Sequence, residues 1–226
     1  MSAPDQNKPQ RGIRSYVLRQ GRLTTGQQNA LDRHWGDFGV DFTEESLDLA
    51  EIFGNDHPVT LEIGFGNGES LITQAASEPG RNFLGIEVHR PGVGHCLHLA
   101  VESQLANLRL SNHDATEVLV QQIADASIDT LQLFFPDPWH KKRHHKRRIL
   151  QPAFIDTVHR KLIHGGRLHL ATDWQDYAEH MQLEMDAVAD RFELVSTDRG
   201  DRPMTKFEQR GLRLGHGVWD FVYQAL

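Results

Sequence analysis

A chain of 226 residues with 38% hydrophobic content is long enough to bury a real core, which excludes disorder over most of its length. Its 24 lysines and arginines against 31 acids give a formal charge of −7, so the molecule as a whole is no obvious polyanion binder. One cysteine, Cys96, excludes an internal disulfide framework and multi-cysteine metal sites. No run approaches the roughly 18 apolar residues of a membrane span, and the polar N-terminus MSAPDQNKPQRG has no apolar signal core. The expectation is a soluble cytoplasmic protein with no membrane contact and no obligate protein partner.

In chain order, residues 1–30 read as a flexible basic extension and 31–226 as a single domain, with Arg11, Arg14, Arg19 and Arg22 supplying the basicity. Thr25 to Trp35 has helical spacing in Ala30, Leu31 and Trp35. Pro58 to Gly64 is a β-branched strand that stops in glycines, and Glu69 to Ala76 carries apolar residues at helical spacing. The unit recurs: Asn82 to Val88 is a strand, Val93 to Gln104 a helix, and Leu108 to Ser111 a strand ending before Asn112-His113-Asp114. Ile128 to Phe135 is a strand that becomes buried on both faces, Gln151 to Leu162 a helix, Gly165-Gly166 a turn, and Arg167 to Thr172 a returning strand. Repeated βα units predict a doubly wound α/β sheet with its ligand at the carboxyl ends of the strands.

Glu62-Ile63-Gly64-Phe65-Gly66-Asn67-Gly68 closes the first strand. A dinucleotide fingerprint needs a third glycine where this chain has Glu69 or Leu71, and a triphosphate loop needs a Lys-Ser or Lys-Thr that is missing. An acid two residues before an alternating Gly-x-Gly-x-Gly instead resembles the first motif of S-adenosylmethionine-dependent methyltransferases. That cofactor carries a sulfonium and an ammonium in place of a pyrophosphate, so a carboxylate such as Glu62 suits its amino-acid end. Glu87, ending the second strand, is placed to accept from ribose hydroxyls, and Asp114, ending the third, from an adenine amine. Each acid singly has a plain reading as a helix cap or strand end; three in succession weaken it.

After the fourth strand come Pro136-Asp137-Pro138-Trp139-His140 and then Lys141-Lys142-Arg143-His144-His145-Lys146-Arg147-Arg148. Taking the six fixed positive charges of those last eight residues from a chain at −7 leaves −13 elsewhere, the footprint of a nucleic-acid site in an acidic protein. Flanking prolines hold the Asp137 carboxylate in place, and Trp139 offers a stacking surface for an unpaired base. His95-Cys96-Leu97-His98 lies on a helix with no partner at metal-ligand spacing, so no metal is expected.

The chain resembles the bacterial tRNA (guanine-N7-)-methyltransferase family over most of its length. The resemblance rests on Arg14 to Arg19, the glycine motif, Gly85-Ile86-Glu87-Val88-His89, Pro136 to Arg148, and Ala171-Thr172-Asp173-Trp174. It ends in Arg202-Pro203-Met204-Thr205-Lys206-Phe207-Glu208-Gln209-Arg210-Gly211 and Gly215 to Asp220. It implies a seven-stranded, mostly parallel Rossmann-like sheet of the class I methyltransferase type, and S-adenosylmethionine bound by Glu62, Gly64, Gly66, Gly68, Glu87, Asp114 and Asp137, with Asp137 also catalytic. It further implies a substrate site of Lys141, Asp173, Thr205, Lys206, Phe207 and Glu208, an RNA-contacting run of Arg143, His144, His145, Lys146, Arg147 and Arg148, and as substrate the variable-loop guanine at tRNA position 46. The rival functions are methylation of another RNA or a small molecule, and RNA binding without catalysis. Whether Asp137 or Asp173 holds the base stays open.

Overall fold

The computed structural model describes residues 14–17, 21–215 and 217–226, with the side chains of Lys206 and Phe207 excepted. Eight helices, α1 (Thr25–Phe38), α2 (Leu49–Phe53), α3 (Glu69–Ser77), α4 (Arg90–Glu102), α5 (Ala115–Gln121), α6 (Pro152–Lys161), α7 (Gln175–Asp186) and α8 (Lys206–Arg213), are described. Seven strands alternate with them: β1 (Val59–Ile63), β2 (Asn82–Ile86), β3 (Leu108–Ser111), β4 (Ile128–Phe134), β5 (Leu162–Thr172), β6 (Phe192–Ser196) and β7 (Trp219–Ala225). They form one sheet in the order β3-β2-β1-β4-β5-β7-β6, in which β7 runs antiparallel to both of its neighbours. This is the predicted doubly wound, mostly parallel sheet.

Its central strands are buried on both faces, β1 and β2 at every position, as parallel strands covered by helices must be. One apolar cluster joins Leu61, Ile63 and Leu133 to α5, α6 and α7; the other joins Phe83, Leu108 and Leu110 to α1, α3 and α4. Helix α1 begins in a capping box, Thr24 Oγ1 accepting from Gln27 N at 3.3 Å while Gln27 Oε1 accepts from Thr24 N at 2.9 Å. With Ala30 and Leu31 buried, α1 crosses the boundary expected at residue 30 and belongs to the packed body.

The glycine pair does something other than predicted. Strand β5 already starts at Leu162, opposite Ile128, and its register against β4 then jumps so that Thr130 faces Arg167. Gly165 (φ +78°) and Gly166 therefore sit in a bulge within the strand, where a Cβ on Gly166 would lie 2.8 Å from Ile163 O and 3.0 Å from Asp129 O. Among the described residues, no helix is long and apolar enough to cross a membrane.

Candidate active site

The carboxyl ends of β1, β2 and β4 open around the glycine loop. Gly64, Gly66 and Gly68 have φ of +76°, +62° and +86°, the left-handed region that favours glycine. A Cβ at Gly64 or Gly66 would meet nothing within 4 Å, whereas one at Gly68 would overlap the buried Cys96 side chain and one at Gly92, in α4, the Gly66 carbonyl oxygen. The loop is pressed against α4 from behind and bare in front, the shape that lets a ligand come close.

Two cavities share this loop. The first, of about 460 Å³, is lined by Glu87, His89, Asp114, Phe134, Phe135 and Asp137, and by Ser15, Tyr16 and Val17 from the N-terminal segment. The second, of about 480 Å³, reaches from Glu62 past Asn67 and Ser70 to Pro203, Met204, Thr205 and Gln209. Gly64, Gly66, His89, Phe134 and Phe135 face both.

Glu62 is 3% exposed, and its Oε2 has no hydrogen-bond partner among the described residues. Burial, and then the charge of Glu87, push its carboxyl up to about 8, with Arg202 pulling the other way. A buried carboxyl with an unsatisfied oxygen calls for a cationic or hydrogen-donating ligand. Glu87 accepts from Gly66 N at 2.9 Å through Oε2 and from His89 N at 2.8 Å through Oε1. Burial raises its pKa, the backbone N–H groups of His89, Gly66 and Val88 oppose the rise, and a carboxylate with about four lone pairs keeps acceptor capacity for a ligand. Asp114 caps α5, Oδ1 accepting from Thr116 N at 2.9 Å, and also accepts from the Tyr16 hydroxyl, whose pKa burial and then that carboxylate raise. The capping reading of Asp114 is thus true and incomplete: the same carboxylate lines the first cavity.

Asp137 is exposed at the edge of that cavity, between residues under strain. Phe135 and Trp139 have φ of +51° and +48°, left-handed values unusual for aromatic side chains, and they bracket the Pro136–Pro138 loop. Trp139 is not the open stacking platform expected. Its Nε1 donates to Ser15 O at 3.0 Å, and the Arg147 guanidinium lies 3.8 Å from its ring centroid.

The basic run also divides. Residues Lys142–Arg147 form a 3-10 helix whose three-residue turn cannot aim every side chain at solvent. Lys141, Lys142, Arg143 and Lys146 are exposed, and His144 and His145 half-buried. Arg147 is turned away to the N-terminal segment, Nε donating to Arg14 O at 2.9 Å and Nη2 to Tyr16 O at 3.1 Å. Arg148, 2% exposed, donates to Pro138 O at 3.0 Å, pairs with Asp176, and lies over the Tyr177 ring. Both departures have one cause: the proline loop and the N-terminal segment leave carbonyls that need donors. The outward cations number four where the sequence suggested six.

Asp173 lies apart from the first cavity, in a groove with Trp174, Gln175 and Trp219. Helix α8 rests against it at Gly211, where a Cβ would be 2.9 Å from Asp173 Oδ2. Thr205 is the N-cap of α8, its Oγ1 accepting from Glu208 N at 3.1 Å. Glu208 is 3% exposed, and its Oε2 accepts from Arg202 Nη1 at 2.8 Å, so it holds the segment together from inside and does not face solvent as a substrate contact would. The side chains of Lys206 and Phe207 lie outside the described residues.

Sequence reasoning gave Tyr16 and Arg202 no role. Their only signal was membership of the basic N-terminal stretch and of the Arg-Pro-Met-Thr motif; Tyr16 is revealed by Asp114, about 100 residues on, and Arg202 by partners in two other elements and by the rings of Phe134 and Phe135.

A family described as "Putative methyltransferase" matches residues 56–221. The chain is 58% identical over 226 residues to a tRNA (guanine-N(7)-)-methyltransferase of Sodalis glossinidius, covering 97% of this chain and 94% of the relative. It is 56% identical over 226 residues to the Serratia proteamaculans protein of the same name, covering 97% and 95%. Among solved structures, a 16S rRNA methyltransferase, KamB, superposes with a TM-score of 0.59 at 13% identity, covering 80% of this chain and 94% of that one. At that identity the likeness is one of fold.

Proposed function

The chain belongs to the tRNA (guanine-N(7)-)-methyltransferase family, and from that premise we propose that it transfers a methyl group from S-adenosylmethionine to N7 of the variable-loop guanine at tRNA position 46, in the cytoplasm. One arrangement carries the reading: an acid-lined cleft beyond the parallel strands, with Glu62 buried in it and its Oε2 unpartnered among the described residues, borders a lip of four outward cations. S-adenosylmethionine, when bound, supplies a methyl group made electrophilic by its sulfonium. The residues present fit it. Glu62 would meet the ammonium, Glu87 the ribose hydroxyls through its remaining acceptor capacity and Asp114 the adenine amine, while the bare faces of Gly64 and Gly66 admit close approach.

Guanine N7 has an in-plane lone pair and no proton, so its attack needs no strong base. The protein's task is alignment and charge stabilisation. As N7 becomes alkylated, the purine turns cationic, and N1–H and the exocyclic amine become stronger donors. A fixed carboxylate accepting from them gains as the charge arrives, which is transition-state stabilisation. Asp173, wedged beneath α8, serves that role on the acceptor side, and Asp137, on the first cavity, orders the donor side. Lys141, Lys142, Arg143 and Lys146 meet phosphates and bring the variable loop to the cleft.

The test is incubation of the purified protein with unmodified tRNA and methyl-labelled S-adenosylmethionine, followed by mapping of the labelled nucleotide. Label confined to N7 of the variable-loop guanine is expected. Label at another base, or none with folded protein that binds the donor, refutes the assignment.

A further inference from the structure

We propose that Arg202 is a positioning residue for methyl transfer, a single guanidinium that anchors the wall of the second cavity and ties it to the strand end leading into the Pro136–Pro138 loop. The inference rests on the function proposed above and deepens it.

Arg202 is 5% exposed, and its side-chain hydrogen bonds reach two separate elements, helix α8 and strand β7. Nε and Nη2 grip Asp220 of β7 as a fork, at 2.8 Å to Oδ1 and 2.9 Å to Oδ2, while Nη1 donates at 2.8 Å to Glu208 Oε2 of α8. His169 of β5 closes the far side, its Nε2 lying 2.9 Å from Asp220 Oδ1. The guanidinium carbon is 5.2 Å from the Phe134 ring centroid and 5.3 Å from that of Phe135. Those rings face both cavities, and Phe135 is the strained residue from which the proline loop departs.

The residues immediately after Arg202, namely Pro203, Met204 and Thr205, form the wall facing Glu62 across the second cavity. Movement of Arg202 would therefore shift that wall, α8 and the aromatic base of the loop together. Its charge also reaches Glu62: Arg202 offsets part of the rise that burial and Glu87 impose there. A purely structural joint has no need of buried ions, since apolar packing serves as well or better. Here the guanidinium supplies both a rigid fork and a positive field over the carboxyl that receives the cationic end of the donor.

Two variants separate these roles. Arg202→Lys keeps the charge and loses the fork; Arg202→Gln loses both. With folding checked by circular dichroism and thermal melting, affinity for S-adenosylhomocysteine is measured by calorimetry from pH 6 to 9, and single-turnover methyl transfer at saturating tRNA. For Arg202→Lys the expectation is a pH profile like that of the native protein and a transfer rate about 100-fold lower with tRNA KM unchanged. For Arg202→Gln the midpoint of the affinity profile moves to higher pH.

If Arg202→Gln does not fold, Arg202→Lys and Glu208→Gln decide the matter through the ratio of transfer rate to tRNA KM. A folded Arg202→Lys that transfers methyl at the native rate overturns the proposal, as does an Arg202→Gln profile superimposable on the native one. Failure of the native protein to methylate tRNA while still binding S-adenosylhomocysteine would instead strike the proposed function, and the affinity profiles would still judge Arg202.

Discussion

Glu62 makes the donor site sensitive to pH in a way that can be worked out in advance. Its carboxyl, ordinarily at 4.5, is pushed up to about 8 by burial and by Glu87. A ligand ammonium needs the ionised form, so the free protein must first lose a proton. At pH 6 about 1% of Glu62 is ionised and at pH 8 about half, so affinity should rise up to about 50-fold across that interval and then level off. The ligand's own amine titrates identically against any variant. The ratio of native to Glu62→Gln affinity for S-adenosylhomocysteine, measured by calorimetry at each pH, therefore isolates this group.

The same shift bears on stability. With the folded pKa above the unfolded one, the native state binds more protons than the unfolded chain between about 4.5 and about 8, so stability falls as pH rises through that window. Saturating ligand should cancel that fall, and Glu62→Gln should lack it. Thermal melts across the window give the second reading. A Glu62→Gln protein whose binding follows the native pH profile would refute the assignment of this carboxyl to the donor's ammonium.

Asp137→Ala should lower single-turnover methyl transfer far more than tRNA affinity, and native-like single-turnover rates would remove it from the reaction. Neutralising Lys141, Lys142, Arg143 and Lys146 together should flatten the salt dependence of tRNA binding. Four phosphate contacts at a slope of roughly −0.7 each predict about a 50-fold loss from roughly 50 to 200 mM salt in the native protein, and an unchanged slope in the variant would take the lip off the RNA face. Arg148→Ala should behave differently, leaving the salt slope alone while denaturant melts show a loss of about 1–3 kcal/mol, because it strips the Pro138 carbonyl of its donor and removes the cation from over the Tyr177 ring. Gly92→Ala should disorder the glycine loop by driving a methyl into the Gly66 carbonyl, seen as weakened binding of S-adenosylhomocysteine.

What could be read from the chain follows from how local each signal is. The glycine loop, the buried β1 and β2 and the acids that follow them are written in consecutive residues, because a parallel strand buried on both faces is a short apolar run and a tight turn must be glycine. The antiparallel β7 has no such mark; its place between β5 and β6 depends on pairing with residues more than 20 positions away. Gly165-Gly166 misleads for a related reason: two glycines mark a bulge in a paired strand as readily as a turn, and only the register against β4 tells them apart.

The basic run shows the deeper limit. Six like charges in eight residues look interchangeable in sequence, yet two of them bond to the protein itself, and which two depends on carbonyls left by the proline loop and by residues 14 and 16. Composition can reveal that a polyanion site exists, because charge summed along the chain needs no geometry. Assigning each cation to phosphate or to protein needs the acceptors, and these are brought up by chain segments as much as 133 residues distant. The same logic hid Arg202, whose partners Glu208 and Asp220 lie in different elements and whose aromatic neighbours lie on β4 and its exit. A buried ion is defined by its surroundings, so the residues that couple the two cavities become visible only when the sheet is assembled.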